Sequence, residues 1–390
     1  MKNIKAVGIA FVLFLITITG IREYIVRDMP EYSISFGTWV ADSKFASNKA
    51  LKKMLDAKNT IPIFGSSELR HGKKSKFHAK SIFNQTDMSP IYIGDGGYQS
   101  LNHVVTLGSL GDSMKNRKLV LSVSPQWFKD VGVKKNAFGA SYSEQNFIAF
   151  LKNENVSPEI KEYVINRIKE LTDESPAMWK KVQNDIKWYL EDKANPWEQI
   201  QKRVHLGLTE YKSDMKLFLN AKHSGVFDEE LPAKKTSKIN WKKLYKKASE
   251  KGKAKTGHNK YGMVDKVYQK KYKQRIKEGD IYFPKLSIDS VEFDDLKCFL
   301  DLCKEQNIEV LVVMLPCNGL WYDYVNIQKD FRQSFYSKVK SIAEEYDAQY
   351  ADMSGYEYKK YMFEDDSHLT LKGLVLFNEQ IYKFYKQGKK

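Results

Sequence analysis

Short apolar runs bounded by polar or glycine residues recur in two separated blocks of the chain. The first block holds residues 60–64, 90–93 and 118–124; the second holds 308–315 and the shorter 348–351. Their near-continuous apolar character predicts strands buried on both faces, the pattern of a parallel sheet. Helical periodicity fills the gaps. Leu296, Phe299, Leu300 and Cys303 recur at helical spacing, with Asp294 and Asp295 in the first turn and Ser287 to Ser290 as caps. A second amphipathic stretch ends at Ile342, and residues 371–386 put Leu374, Phe377, Ile381 and Phe384 on one face of a terminal helix. This alternation predicts a three-layer, doubly wound α/β domain.

Residues 141–285 change character. They read as helical, with Trp179, Trp188, Tyr189, Trp197, Phe218 and Trp241 as core aromatics amid many charges. We therefore expect a discontinuous α/β domain, 58–140 and 286–390, interrupted by a helical, basic insertion. The N-terminus predicts a membrane helix. Lys2 and Lys5 precede an uncharged run from Ala6 to Ile21, which as a helix spans ~24 Å. Arg22 can snorkel, and Tyr24, Ile25 and Val26 extend the apolar surface. A cleaved signal peptide has a similar start, but no convincing small-x-small site follows; Thr17-x-Thr19 is a poor one. Residues 1–27 are thus expected to be a single-pass anchor and 28–57 a stem. The lysines before the span put the N-terminus in the cytoplasm and the rest outside the cell.

Composition narrows the classes. A chain of 390 residues, 42% hydrophobic and 13% aromatic, is not disordered. Three cysteines, Cys298, Cys303 and Cys317, do not make a disulfide framework, and no Cys/His set has metal-ligand spacing, so no metal is expected. The net charge of +16 is concentrated: residues 234–277 hold 17 Lys/Arg against Glu250 and Asp265 alone. A solvated helical face accounts for many such runs. An anionic partner is the sharper reading, with Lys242, Lys243, Lys246, Lys247, Lys270 and Lys271 as contacts. Outside a membrane that partner is not nucleic acid; anionic lipid or a phosphate-bearing wall polymer fits better.

Two local patterns carry chemistry. The run 61–64 leads into Gly65-Ser66-Ser67, which puts a serine at a strand-to-helix turn on the carboxyl edge of a sheet. There its hydroxyl can face substrate while its N–H, at a helix start, stabilises an oxyanion. Near the other end, Asp365-x-x-His368 lets a carboxylate hold an imidazole as general base. Capping is the bland role for Asp365 or Asp366. The six other histidines lie in no comparable arrangement.

The pairing of these two signals resembles the SGNH (GDSL-like) hydrolase superfamily. More closely, the chain resembles the DltD family, the D-alanyl transfer proteins of teichoic-acid D-alanylation. The resemblance rests on residues 63–69 (Ile-Phe-Gly-Ser-Ser-Glu-Leu), 124–128 (Ser-Pro-Gln-Trp-Phe) and 259–262 (Asn-Lys-Tyr-Gly). It continues through 316–323 (Pro-Cys-Asn-Gly-Leu-Trp-Tyr-Asp), 365–368 and Lys372-Gly373. It implies Ser67 as nucleophile, His368 as base and Asp365 as its orienting carboxylate. It also implies an oxyanion hole from the Ser67 N–H and a backbone N–H of Gly94-Asp-Gly-Gly97, with Gly97 the choice. The superfamily's Gly-x-Asn-Asp block is absent; Gln126 of Ser124-Pro-Gln126 stands there as the candidate side-chain donor. The implied reaction passes a D-alanyl group, delivered by a DltB-type membrane acyltransferase, through Ser67 to lipoteichoic acid, with no cofactor. A non-enzymatic scaffold and a thioesterase for mis-loaded carriers are the rivals. Ser67 Oγ out of hydrogen-bond reach of His368 would exclude the enzyme readings.

Overall fold

The five apolar runs form one parallel sheet: β1 (Thr60–Phe64), β2 (Ser89–Ile93), β3 (Lys118–Val123), β4 (Glu309–Met314) and β5 (Gln349–Asp352). The computed structural model describes residues 2–227, 238–281 and 285–388. Each strand meets its expected run to within one residue at either end. The order is β2-β1-β3-β4-β5, with Ile63 beside Val120 and Leu121 beside Val312 in register. Beyond their first residues β1 to β4 are buried throughout. β5 departs from the both-faces expectation: Gln-Tyr-Ala-Asp is an edge strand, half-buried and ending exposed.

The N-terminal helix α1 (Lys2–Asp28) docks its last turn on the body through Ile25 and the following Met29. Among the described residues no helix is long and apolar enough to cross a membrane. Several α1 side chains lie outside the described set. The 1–27 span therefore rests on its sequence alone. After β2, α2 (Ser100–Ser109) covers the sheet. Between β3 and β4 the described residues form helices and turns, including α3 (Glu144–Lys152), α4 (Pro176–Asp185), α5 (Pro196–His223) and α6 (Trp241–Lys253). The start of α5 is set locally: Asn195 caps, Pro196 supplies a preset φ, and Glu198 closes a capping box. Then come α7 (Glu292–Glu305), α8 (Lys329–Glu345) and α9 (Leu371–Lys386).

The period-2 alternation of the strands sorts their side chains into two cores. Phe64, Ile93, Leu121 and Met314 face the helices α2, α7 and α8. Ile61, Ile63, Val120 and Val313 face the other way, against Leu376, Phe377 and Ile381 of α9. The helical segment is not a separate body, because Phe147, Val182 and Leu217 belong to the first core. Its aromatics follow the expectation in part. Tyr189 and Phe218 are buried, Trp179, Trp188 and Trp241 pack against the cores, but Trp197 is 66% exposed. It stands on an outward stripe of α5 with Ile200, Val204 and Leu208. All three cysteines are free and buried.

Candidate active site

The sheet order reverses between β1 and β3, so a crevice opens at their carboxyl ends. Ser67 follows β1 into that crevice, at the head of the 3-10 turn Ser67–Arg70. Crowding explains the glycines. A Cβ on Gly94 would stand 1.9 Å from the Gly65 carbonyl oxygen, and Gly94 holds φ at +118°. A Cβ on Gly65 would stand 2.5 Å from Glu68 Oε1.

The turn is tied from beneath. Buried Glu68 accepts from the Ser66 N–H at 2.9 Å and from the Ser122 hydroxyl at 2.5 Å. The Ser66 hydroxyl donates to the Asp95 carbonyl at 3.1 Å, and Arg70 pairs with the Asp95 carboxylate. Ser66 is thus buried and engaged, while Ser67 is half-buried and faces the crevice.

The imidazole of His368 arrives on a second tight turn. Phe363 bridges Leu369 in antiparallel fashion and the Glu364 N–H donates to the His368 carbonyl at 2.8 Å, folding Asp365 back under His368. Ser67 Oγ lies 2.7 Å from His368 Nε2, and His368 Nδ1 lies 2.9 Å from Asp365 Oδ2. The N–H groups of Ser367 and His368 also donate to Asp365 Oδ1, at 3.1 and 2.8 Å.

Burial by itself pushes the Asp365 carboxyl up, but the His368 hydrogen bond and charge, with these two N–H groups, hold it at about 2. Burial likewise lowers His368, and Asp365 outweighs it, so the imidazole is raised. Neighbouring Asp366 goes the other way: burial and the Asp365 charge push it up, while Tyr272 donates to it at 3.0 Å. One carboxylate is therefore ionised beneath the imidazole. With Asp365 accepting from Nδ1–H, Nε2 is free to accept from the Ser67 hydroxyl.

The Gly94–Gly97 turn lies against Ser67: a Cβ on Gly96 would stand 3.8 Å from Ser67 Cβ. The Gly96 N–H is engaged by Asp95 Oδ1 at 2.6 Å. The Gly97 N–H has no acceptor among the described residues. Gln126 lies in the 3-10 turn Pro125–Trp127 at the end of the neighbouring strand β3, half-buried, its amide without a partner among the described residues.

The basic segment divides. Lys242, Lys243, Lys246 and Lys247 lie exposed on α6, whose Trp241, Leu244 and Tyr245 pack against the α9 side of the sheet. Lys270 and Lys271 belong to a different turn, and Lys271 Nζ comes within 3.9 Å of Asp365 Oδ2. Both line a cavity of about 520 Å³ with Arg275, Trp321 and Asp366. Lys234 and Lys235 lie outside the described residues.

Several site residues escaped the sequence reading. His71 stacks on His368 and is bonded through Nδ1 to Glu364 at 2.9 Å. Asn318 donates to the carbonyls of Tyr261 and Asp365, at 3.0 and 3.2 Å, which accounts for two of the quoted motifs at once. Glu68 shows no sequence signal beyond its nearness to Ser67.

A family model described as "DltD protein" matches residues 37–386. The chain is 31% identical to Protein DltD of Bacillus subtilis (strain 168) over 350 residues, 86% of this chain and 85% of the relative. It is 29% identical to Protein DltD of Staphylococcus aureus (strain NCTC 8325 / PS 47) over 392 residues, covering 97% and 94% of the two. A third similarity, 24% over 363 residues, is to Protein DltD of Lacticaseibacillus rhamnosus, covering 87% and 81%.

Proposed function

The chain belongs to the DltD family, and from that premise we propose that it is a serine acyltransferase carrying D-alanyl groups to lipoteichoic acid. The observation that carries this reading is the unbroken chain Ser67 Oγ–His368–Asp365, with contacts of 2.7 and 2.9 Å at the carboxyl edge of a parallel sheet. A scaffold has no use for a polarised hydroxyl in a crevice, so this contact favours an enzyme. The strand order, with Gly-Ser-Ser after β1 and Asp-x-x-His before the last helix, supports an SGNH-like assignment.

His368 Nε2 takes the Ser67 proton as Oγ attacks the D-alanyl carbonyl, and Asp365 stabilises the imidazolium. The oxyanion meets the N–H groups of Ser67 and Gly97 and the Gln126 amide. His368 then gives its proton to the departing donor group. In the second half the glycerol hydroxyl of the polymer loses its proton to Nε2 and attacks the acyl-serine; the acyl–Oγ bond breaks and His368 returns the proton to Ser67 Oγ. Exchange of one acyl bond for another needs no cofactor. Residues 1–27 would anchor the domain on the outer side of the membrane, beside the DltB-type acyltransferase that supplies the acyl group.

The reading is tested with Ser67→Ala and His368→Ala in the full membrane-bound chain. Each should lower transfer by on the order of 10⁶, leaving no measurable D-alanyl ester on the polymer while the protein stays folded. Normal ester content in either variant would turn the reading toward a scaffold.

A further inference from the structure

Three side chains able to bind a metal converge in the helical segment, away from the triad. Glu144 opens α3, Asp185 closes α4 where the chain enters the π-helical turn Ile186–Leu190, and His205 sits on α5. One ligand atom from each lies within 4.8 Å of the others. Asp185 is 0% exposed, and neither of its carboxylate oxygens has a hydrogen-bond partner among the described residues. A fully buried carboxylate beside a second carboxylate, with no hydrogen bond to either of its oxygens, is a costly arrangement that a cation relieves.

The histidine is already oriented for ligation. The Tyr189 hydroxyl donates to the Lys202 carbonyl at 3.0 Å, so its lone pair is left to accept from His205 Nδ1–H at 3.4 Å. This second contact keeps the proton on Nδ1 and turns Nε2 inward, 3.1 Å from Glu144 Oε1. Without an ion, the positive charges facing Glu144 are the His205 imidazolium, which its carboxylate favours, and Lys181 Nζ at 2.7 Å. Lys181 has 49% of its side chain exposed and can withdraw to solvent.

We propose that Glu144, Asp185 and His205 form a structural site for a first-row divalent cation, best matched by Zn²⁺, which staples α3, α4 and α5 together. One imidazole nitrogen and two carboxylate oxygens suit Zn²⁺ or Mn²⁺ better than Mg²⁺, which takes oxygen ligands. Ligands bound to Zn²⁺ at tetrahedral angles stand about 3.4 Å apart, close to the 3.1 Å that already separates His205 Nε2 from Glu144 Oε1, with water in the fourth position. Loading releases the Nε2 proton of His205, and any proton on Asp185, to solvent. The ligands come from three helices with no short motif, which is why no metal was expected from the sequence.

The test uses the tag-free full chain in detergent, stripped with chelator and titrated separately with Zn²⁺, Mn²⁺ and Mg²⁺. Metal content by mass spectrometry and melting temperature are read together. One Zn²⁺ per chain is expected, raising the midpoint by about 3 °C at a hundredfold excess over Kd, with no effect of Mg²⁺. Asp185→Asn and His205→Gln should fold and lose both the stoichiometric ion and the rise. Absence of binding in the wild type, or an undiminished rise in the variants, overturns the site. Should Asp185→Asn not fold, His205→Gln decides, because its amide can still bond Glu144.

Discussion

The imidazole of His71 stacks on that of His368, with ring centroids 4.3 Å apart and planes inclined by 21°. Its Nδ1 is bonded to Glu364, the residue before Asp365. The nucleophile turn and the base turn are thus joined twice, once through Ser67 and His368 and once through His71 and Glu364. His71 reaches no reacting atom; it limits rotation of the base. His71→Ala should cost about tenfold in acyl transfer, or ~1.4 kcal/mol of barrier, mostly in kcat. His71→Phe keeps a stacking face without the ring nitrogens and should retain most of the rate. If both variants lose equally, the Glu364 hydrogen bond, not the stack, positions His368.

On the proposed mechanism Asp365 sets when His368 is available as base. Burial lowers His368 and Asp365 more than reverses that, so its folded value lies above the ordinary histidine value. Nε2 must be unprotonated to accept the Ser67 proton, so kcat/KM falls as the pH drops through that raised value. In Asp365→Asn the burial remains and the carboxylate is gone. The acid limb should then move to lower pH, while the plateau falls by on the order of 10⁴ because the favoured tautomer is lost. A pH profile of small-ester turnover reads both effects. A limb that stays in place in the variant assigns the titration to another group.

The two halves of the basic segment should respond differently to neutralisation. Exchanging Lys242, Lys243, Lys246 and Lys247 together for glutamine should weaken polymer association and flatten its dependence on salt. Small-ester turnover should not change, since these side chains lie on α6, away from the triad. Lys271 is the exception, 3.9 Å from Asp365 but with 61% of its side chain exposed. Solvent screens that pair, so Lys271→Gln should alter small-ester turnover by no more than about threefold. A polymer affinity untouched by the fourfold exchange at low salt would make α6 a solvated face.

What could be read along the chain was whatever is encoded locally. The inner strands announce themselves because a strand covered on both faces must be apolar at nearly every position, as Leu119 to Val123 are. β5 was legible only as a shorter run, since an edge strand can keep Gln349 and Asp352. The meeting of Ser67, His368 and Asp365 was legible because each half is a short turn: Gly65 to Ser67 at a strand end, and Asp365 to His368 in a tight hairpin. The preference for Ser67 over Ser66 came from family position in the sequence; in the fold Ser66 donates to the Asp95 carbonyl and Ser67 meets His368. His71 left no such trace, and Glu68, Asn318 and Lys271, though inside motifs or the basic segment, gave no sign of the contacts they make around Ser67 and Asp365. Each acts on a residue distant in sequence or held by tertiary packing, and ordinary surface patterns contain the same residue types. Trp197 was misread for a related reason, since an aromatic in an amphipathic helix does not say which stripe faces inward.

The departure from the superfamily's third block leads to the sharpest test of the oxyanion hole. On the proposed mechanism a tetrahedral intermediate on Ser67 needs donors, and the backbone N–H groups of Ser67 and Gly97 are the candidates. Gln126 lies in the turn that follows β3, the strand beside β1, and its amide is engaged by nothing among the described residues. A buried or half-buried amide left without partners in the resting protein is suited to a charge that arises only during reaction. If the amide is a donor, Gln126→Ala should cost on the order of 10²–10³ in acyl transfer, the usual loss for one such group. The loss should fall on kcat, with substrate binding nearly unchanged. Gln126→Glu should be at least as harmful, because a carboxylate would face developing negative charge. A Gln126→Ala enzyme with near-wild-type kcat would leave the two backbone N–H groups as the whole hole, and Gln126 as a turn residue after Pro125.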